Sequence, residues 1–87
     1  MHKQYLPKPG DRAGKSAHVI EESAEVIREA LNVNECIAKI VRFGHDSRYP
    51  ADGPTNTERL VAALKLYREE LNDALAATES LLVEYDK

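Results

Sequence analysis

Glu22 and Glu25 stand three residues apart in the chain, and so do Glu70 and Asp73. On a helix that spacing turns both carboxylates of a pair to the same side, one turn from each other. Their neighbours make the pairs unusual. With Ile20 at zero on a wheel of about 100° per residue, Val19, Val26, Val33, Ile37 and Ile40 fall between about 200° and 260°. Glu22 falls at about 200° and Glu25 at about 140°, within or beside that apolar band. With Leu60 at zero, Ala62, Ala63, Leu66, Ala77 and Leu81 form a band from about 200° to 300° that includes Glu70 and Asp73.

Taken singly, either pair is most simply a solvated helix face. Four carboxylates converging in a partly dry groove would repel one another, and that repulsion needs an offset. An oxygen-rich set of this kind suits Mg²⁺, Mn²⁺ or Ca²⁺. The composition gives zinc no support: Cys36 is the single cysteine, and no histidine pattern accompanies it. No P-loop or dinucleotide glycine fingerprint occurs, so any nucleotide would be held through metal and basic side chains.

Two helices must position these groups. From about Ala17 to Phe43, apolar residues recur at Ile20, Ala24, Ile27, Leu31, Ala38 and Val41, in the three-four rhythm of an amphipathic helix with Ser16 as its expected N-cap. Asn32 and Asn34 are weak helix formers, and a break there is one expectation. The segment GHDSRYPADGPTN reads as a long loop. Thr55 and Glu58 have capping-box spacing, and Leu60, Leu64, Tyr67, Leu71, Ala74, Thr78, Leu82 and Tyr85 carry the second helix nearly to the end. Residues 1–16, with two prolines and two glycines, read as an extended or disordered basic arm, and residues 17–87 as one helical domain. The expected fold is all-α, a long antiparallel helical hairpin. A lone hairpin of 87 residues buries little, so a four-helix bundle completed by oligomerisation is its natural form.

The spacing also sets a length condition. Glu22 to Phe43 spans about 30 Å if helical, and Thr57 to Glu70 about 20 Å. To bring the pairs level, the loop must fold back or the first helix must break near Asn32–Asn34.

Net charge is −3, which weighs against long nucleic acids as partners. No apolar run approaches membrane-spanning length and no signal-peptide pattern is present, so no membrane partner and a cytoplasmic location are expected. The lone cysteine fits a reducing compartment.

Glu21-Glu22-Ser23-Ala24-Glu25 has the form EExxE, and Glu69-Glu70-Leu71-Asn72-Asp73 the form EExxD. This ordered pair, with the segments Lys39 to Gly44 and Thr55 to Leu60, resembles the MazG-like all-α nucleoside triphosphate pyrophosphohydrolases of small bacterial and phage type. The likeness covers roughly residues 17–83. It implies a hydrolase that cleaves a nucleoside triphosphate to the monophosphate and pyrophosphate, with magnesium (or manganese) as cofactor, working as a homodimer or homotetramer. Carried over by motif, Glu22, Glu25, Glu70 and Asp73 would be metal ligands, and Glu21 and Glu69 catalytic groups that orient the attacking water. Lys39, Arg42, Arg48 and Arg59, with His45 and Asn56 beside them, are the expected substrate-binding residues near the loop. Phe43, Tyr49 and Tyr67 are candidates for stacking on a base, Tyr67 more simply as packing. The alternative is a non-catalytic dimeric helical adaptor or regulator with the same fold.

Overall fold

The computed structural model describes residues 10–86. Two helices, α1 (Arg12–Phe43) and α2 (Asn56–Leu82), pack against each other as a hairpin, with no strand among the described residues. Its extents are 54 × 23 × 14 Å, so the molecule is one helix thick in its shortest direction. The expectations of an all-α class and a helical hairpin hold.

α1 begins at Arg12, five residues before the expected Ala17. Its N-cap is Asp11 rather than Ser16: Asp11 Oδ1 accepts the Gly14 N–H at 2.9 Å, as a capping side chain does. Gly10, at φ +81°, turns the chain into this cap. Contacts to the far end of α2 then hold a first turn that contains a glycine. The Lys15 ammonium is 2.6 Å from Glu84 Oε2, Gly10 N–H donates to the same oxygen at 3.2 Å, and the Arg12 guanidinium donates to the Glu84 carbonyl at 2.9 Å. Arg12 also lies over the Tyr85 ring, 4.7 Å from its centroid. Tertiary partners outweigh the weak local propensity of this stretch. Residues 12–16 of the expected arm are therefore helical, and residues 1–9 lie outside the described residues.

α1 runs unbroken through Asn32 and Asn34, whose side chains are exposed. Of the two ways to bring the carboxylates level, the structure takes the folded-back loop. Gly44 ends α1 with φ +90°, its N–H donating to the Ile40 carbonyl at 2.8 Å, a backbone shape suited to glycine. Arg48 and Thr55 form an isolated antiparallel bridge. The Asn56 amide side chain donates to the Gly44 carbonyl at 3.0 Å and reaches the Lys39 carbonyl at 3.5 Å. The start of α2 thus lies beside Lys39, and the last turn of α1 overhangs it. The capping box forms as expected: Glu58 N–H donates to Thr55 Oγ1 at 3.1 Å, and Thr55 N–H donates to Glu58 Oε1 at 2.9 Å.

The apolar faces are used differently from the expectation. On α1 the buried and half-buried positions include Val19, Glu22, Val26, Val33, Cys36 and Ile40, which belong to the band near 200°. The main stripe points away from α2: Ile20, Ile27, Leu31 and Val41 are 59–81% exposed. α2 buries Ala63 and Ala77 and half-buries Leu60, Tyr67, Ala74 and Leu81. Its residues Leu64, Leu71, Leu75 and Leu82 stay exposed. The small side chains of Ala63 and Ala77 let the helices approach closely, which explains why the weaker stripe of α1 forms the contact. Each helix is left with an apolar face that no described residue covers.

Candidate functional site

The hairpin contact carries carboxylates in its middle. Glu22 is 1% exposed, the most buried large side chain described. Oxygens of Glu22, Glu70 and Asp73 all lie within 4.8 Å of one another, so the two helices bring three of the four expected ligands together. Glu25, the fourth, is joined to Glu70 by a side-chain hydrogen bond. It also faces Arg28 at 3.5 Å, on its solvent side.

Two oxygens of this cluster are buried with no hydrogen-bond partner, Glu22 Oε2 and Glu70 Oε2. An unpaired buried carboxylate oxygen is costly, and groups of this kind are normally satisfied. The other Glu22 oxygen, Oε1, lies 3.3 Å from His18 Nε2. His18 reads from sequence as an exposed residue near a helix start, yet its side chain is mostly covered. Its i, i+4 spacing to Glu22 was the available signal.

The electrostatics follow from the crowding. Burial, first, pushes the Glu70 carboxyl up to about 7, helped by the hydrogen bond to Glu25 and the charges of Glu25, Asp73 and Glu22. The cluster therefore offsets part of its repulsion with a proton. A divalent cation would offset it more fully, and the donor set of hard carboxylate oxygens, two of them orphaned, fits one. Glu21 and Glu69, next in sequence to the two carboxylate pairs, are exposed.

The expected substrate-binding residues gather at the other end. Lys39, Arg48, Asn56 and Arg59 line one cavity of about 430 Å³, together with Phe43, Ser47 and Tyr49. Arg42 and His45 are exposed and do not line it. Much of this set holds the loop in shape. The Arg48 guanidinium donates to the Gly53 carbonyl at 2.6 Å and lies 3.8 Å from Glu58, and Arg59 donates to the Tyr49 carbonyl at 2.6 Å. A smaller cavity of about 240 Å³ adjoins it, sharing Lys39, Asn56 and Arg59 and running along the groove past Cys36, Ala62 and Leu66.

The two ends are well separated. Lys39 lies fourteen residues beyond Glu25 on α1, about 21 Å at 1.5 Å per residue. Arg59 lies eleven residues before Glu70 on α2, about 17 Å. Within one chain, the cations therefore do not surround phosphates held at the carboxylates. Among the described residues, no helix is long and apolar enough to cross a membrane. Comparison with protein-family models, curated proteins and solved structures returns no match to this chain.

Proposed function

We propose that this chain is a metal-dependent nucleoside triphosphate pyrophosphohydrolase, with Glu22, Glu25, Glu70 and Asp73 holding magnesium or manganese. The observation that carries the reading is the pair of orphaned buried oxygens, Glu22 Oε2 and Glu70 Oε2, from two helices whose carboxylates close on one point. Leaving these groups unpaired costs folding free energy, so their placement is best accounted for by a ligand that satisfies them. The ordered EExxE and EExxD motifs supply the reaction class by resemblance.

Bound magnesium neutralises a triphosphate and makes water a better nucleophile. The chain's own part is positional. Glu22, buried and fixed beside His18, gives the cluster its floor, and Glu70 and Asp73 close it from α2. Glu21 and Glu69 are the carboxylates left to take the proton of the attacking water. The loop-end cations lie about 17–21 Å away along the helices and do not carry this reading.

A second copy of the chain completes the architecture. The stripe of Ile20, Ile27, Leu31 and Val41, with the exposed leucines of α2, makes a helix apolar on both sides, a pattern that belongs to buried helices. A four-helix bundle, as a homodimer or homotetramer, covers it. The same stripe equally serves a non-catalytic hairpin that docks on another protein.

One experiment separates these readings. Pyrophosphate release is measured from a panel of ribo- and deoxynucleoside triphosphates with Mg²⁺ or Mn²⁺, alongside Glu22→Gln and Asp73→Asn. Turnover that disappears in both variants is expected. No release from any nucleotide, with no rise in thermal stability on adding metal, overturns the enzyme and leaves the adaptor.

A further inference from the structure

The loop-end cavity has the chemistry of a binding site in its own right. Its lining brings three cations, Lys39, Arg48 and Arg59, and no carboxylate. Phe43 and Tyr49 stand at the same cavity and are 63% and 86% exposed, so both rings are open to a ligand. Its volume of about 430 Å³ is within the usual range for small-molecule sites, about 300–1,000 Å³.

The walls are preformed. Arg48 and Arg59 tie the loop to itself through Gly53 and Tyr49, and Asn56 ties α2 to the end of α1. Lys39 differs from them: among the described residues its ammonium has no hydrogen bond or ion pair, and it projects from α1 into a cavity walled by two more positive charges. Glu58, 3.8 Å from Arg48 on the loop side, is set against three cations, and the positive charge left over at Lys39 and Arg59 favours an anion. The guanidiniums keep free N–H groups after their loop bonds, since each carries five donors.

We propose that this cavity binds a flat aromatic ring carrying a phosphate, the chemistry of a nucleoside monophosphate. The phosphate sits against Lys39 and the guanidinium of Arg59, and the ring lies on Tyr49 and Phe43. Lying about 17–21 Å along the helices from the carboxylates, the site needs no metal and stands whether or not the acidic cluster is catalytic.

The test is calorimetric titration of the full chain in EDTA, which takes the acidic cluster out of play. The probes are adenosine and uridine monophosphates, inorganic phosphate alone and the parent nucleosides. Monophosphates are expected to bind more tightly than either half, and more weakly as salt rises. Lys39→Ala should weaken binding at least about tenfold, the loss of one charge-assisted hydrogen bond. Tyr49→Ala should weaken it about threefold to tenfold, and Tyr49→Phe should restore it. Both positions are exposed, and circular dichroism checks that the variants keep native helicity. The proposal is overturned if monophosphates bind no better than phosphate, or if Lys39→Ala and Tyr49→Ala leave binding unchanged. It is also overturned if amide shift changes on titration fall around Glu22 and Glu70 and not around Lys39 and Arg59.

Discussion

Glu70 faces Glu25 across the two helices, and burial, with Glu25, Asp73 and Glu22 close by, holds the Glu70 carboxyl up at about 7. A proton held by Glu70 offsets part of the repulsion when no cation is present, and it makes stability depend on pH.

The direction is fixed by where the proton binds more tightly. Glu70 ionises near 7 in the folded chain against an ordinary value of 4.5, so between those values the folded state holds more protons than the unfolded one. Stability from this group is full below about 4.5 and is lost as pH rises through 7. Without metal, thermal melts from pH 5 to pH 8.5 should show a falling Tm. Glu70→Gln, which cannot ionise, should flatten that dependence and raise the metal-free Tm at pH 8.5. In a chain this short, each 1 kcal/mol moves Tm by roughly 4–8 °C.

Metal should reverse the same dependence. Binding to the ionised cluster releases the proton held by Glu70, so Mg²⁺ or Mn²⁺ is expected to stabilise more at pH 8.5 than at pH 5.5. At a hundred times Kd the gain is about 2.7 kcal/mol. Glu22→Gln and Asp73→Asn should each abolish most of the shift, as read by thermal melts with and without metal.

At the opposite end from the loop, Lys15 and Glu84 form a buried ion pair with side chains 8% and 5% exposed. Lys15→Met removes one partner and leaves a buried carboxylate, at a cost of roughly 3–5 kcal/mol. Lys15→Met with Glu84→Gln should recover much of that loss. Urea denaturation of the two variants and the parent measures it.

The exposed stripe gives a test of assembly. Leu31→Glu puts a charge on the outward face of α1 and touches nothing in the hairpin contact. It is expected to shift the mass in sedimentation or light scattering from a multiple of 9.7 kDa toward the single chain. An unchanged oligomer would place the interface elsewhere.

The helices and the carboxylate pairs were legible because both depend on a local period. A three-residue spacing on a 3.6-residue helix fixes the facing of Glu22 and Glu25 whatever else the chain does. The choice between two apolar stripes was not local. It turns on Ala63 and Ala77, which lie 30 to 51 residues further along the chain and make the close contact cheaper on the Val26 and Val33 side. The early start of α1 was hidden for the same reason, since Lys15 and Arg12 find their partners at Glu84 and Tyr85. Arg48, Arg59 and Asn56 announced their charge and polarity, but their bonds to loop carbonyls depend on a turn geometry that composition does not fix.

The overhang of α1 beyond Lys39 separates two kinds of length in this hairpin. The register between the helices is set where Asn56 meets Lys39 and Gly44, and everything the loop does beyond that point is slack. Residues added or removed between Gly44 and Thr55 leave Glu22 facing Glu70 as long as Asn56 still docks. A single residue added between Glu25 and Lys39 would swing the first carboxylate pair by about 100° and draw it about 1.5 Å along the axis. The chain can therefore vary its loop, and with it the cavity there, without disturbing the carboxylates, while the stretch of α1 between the two ends behaves as a ruler of fixed length.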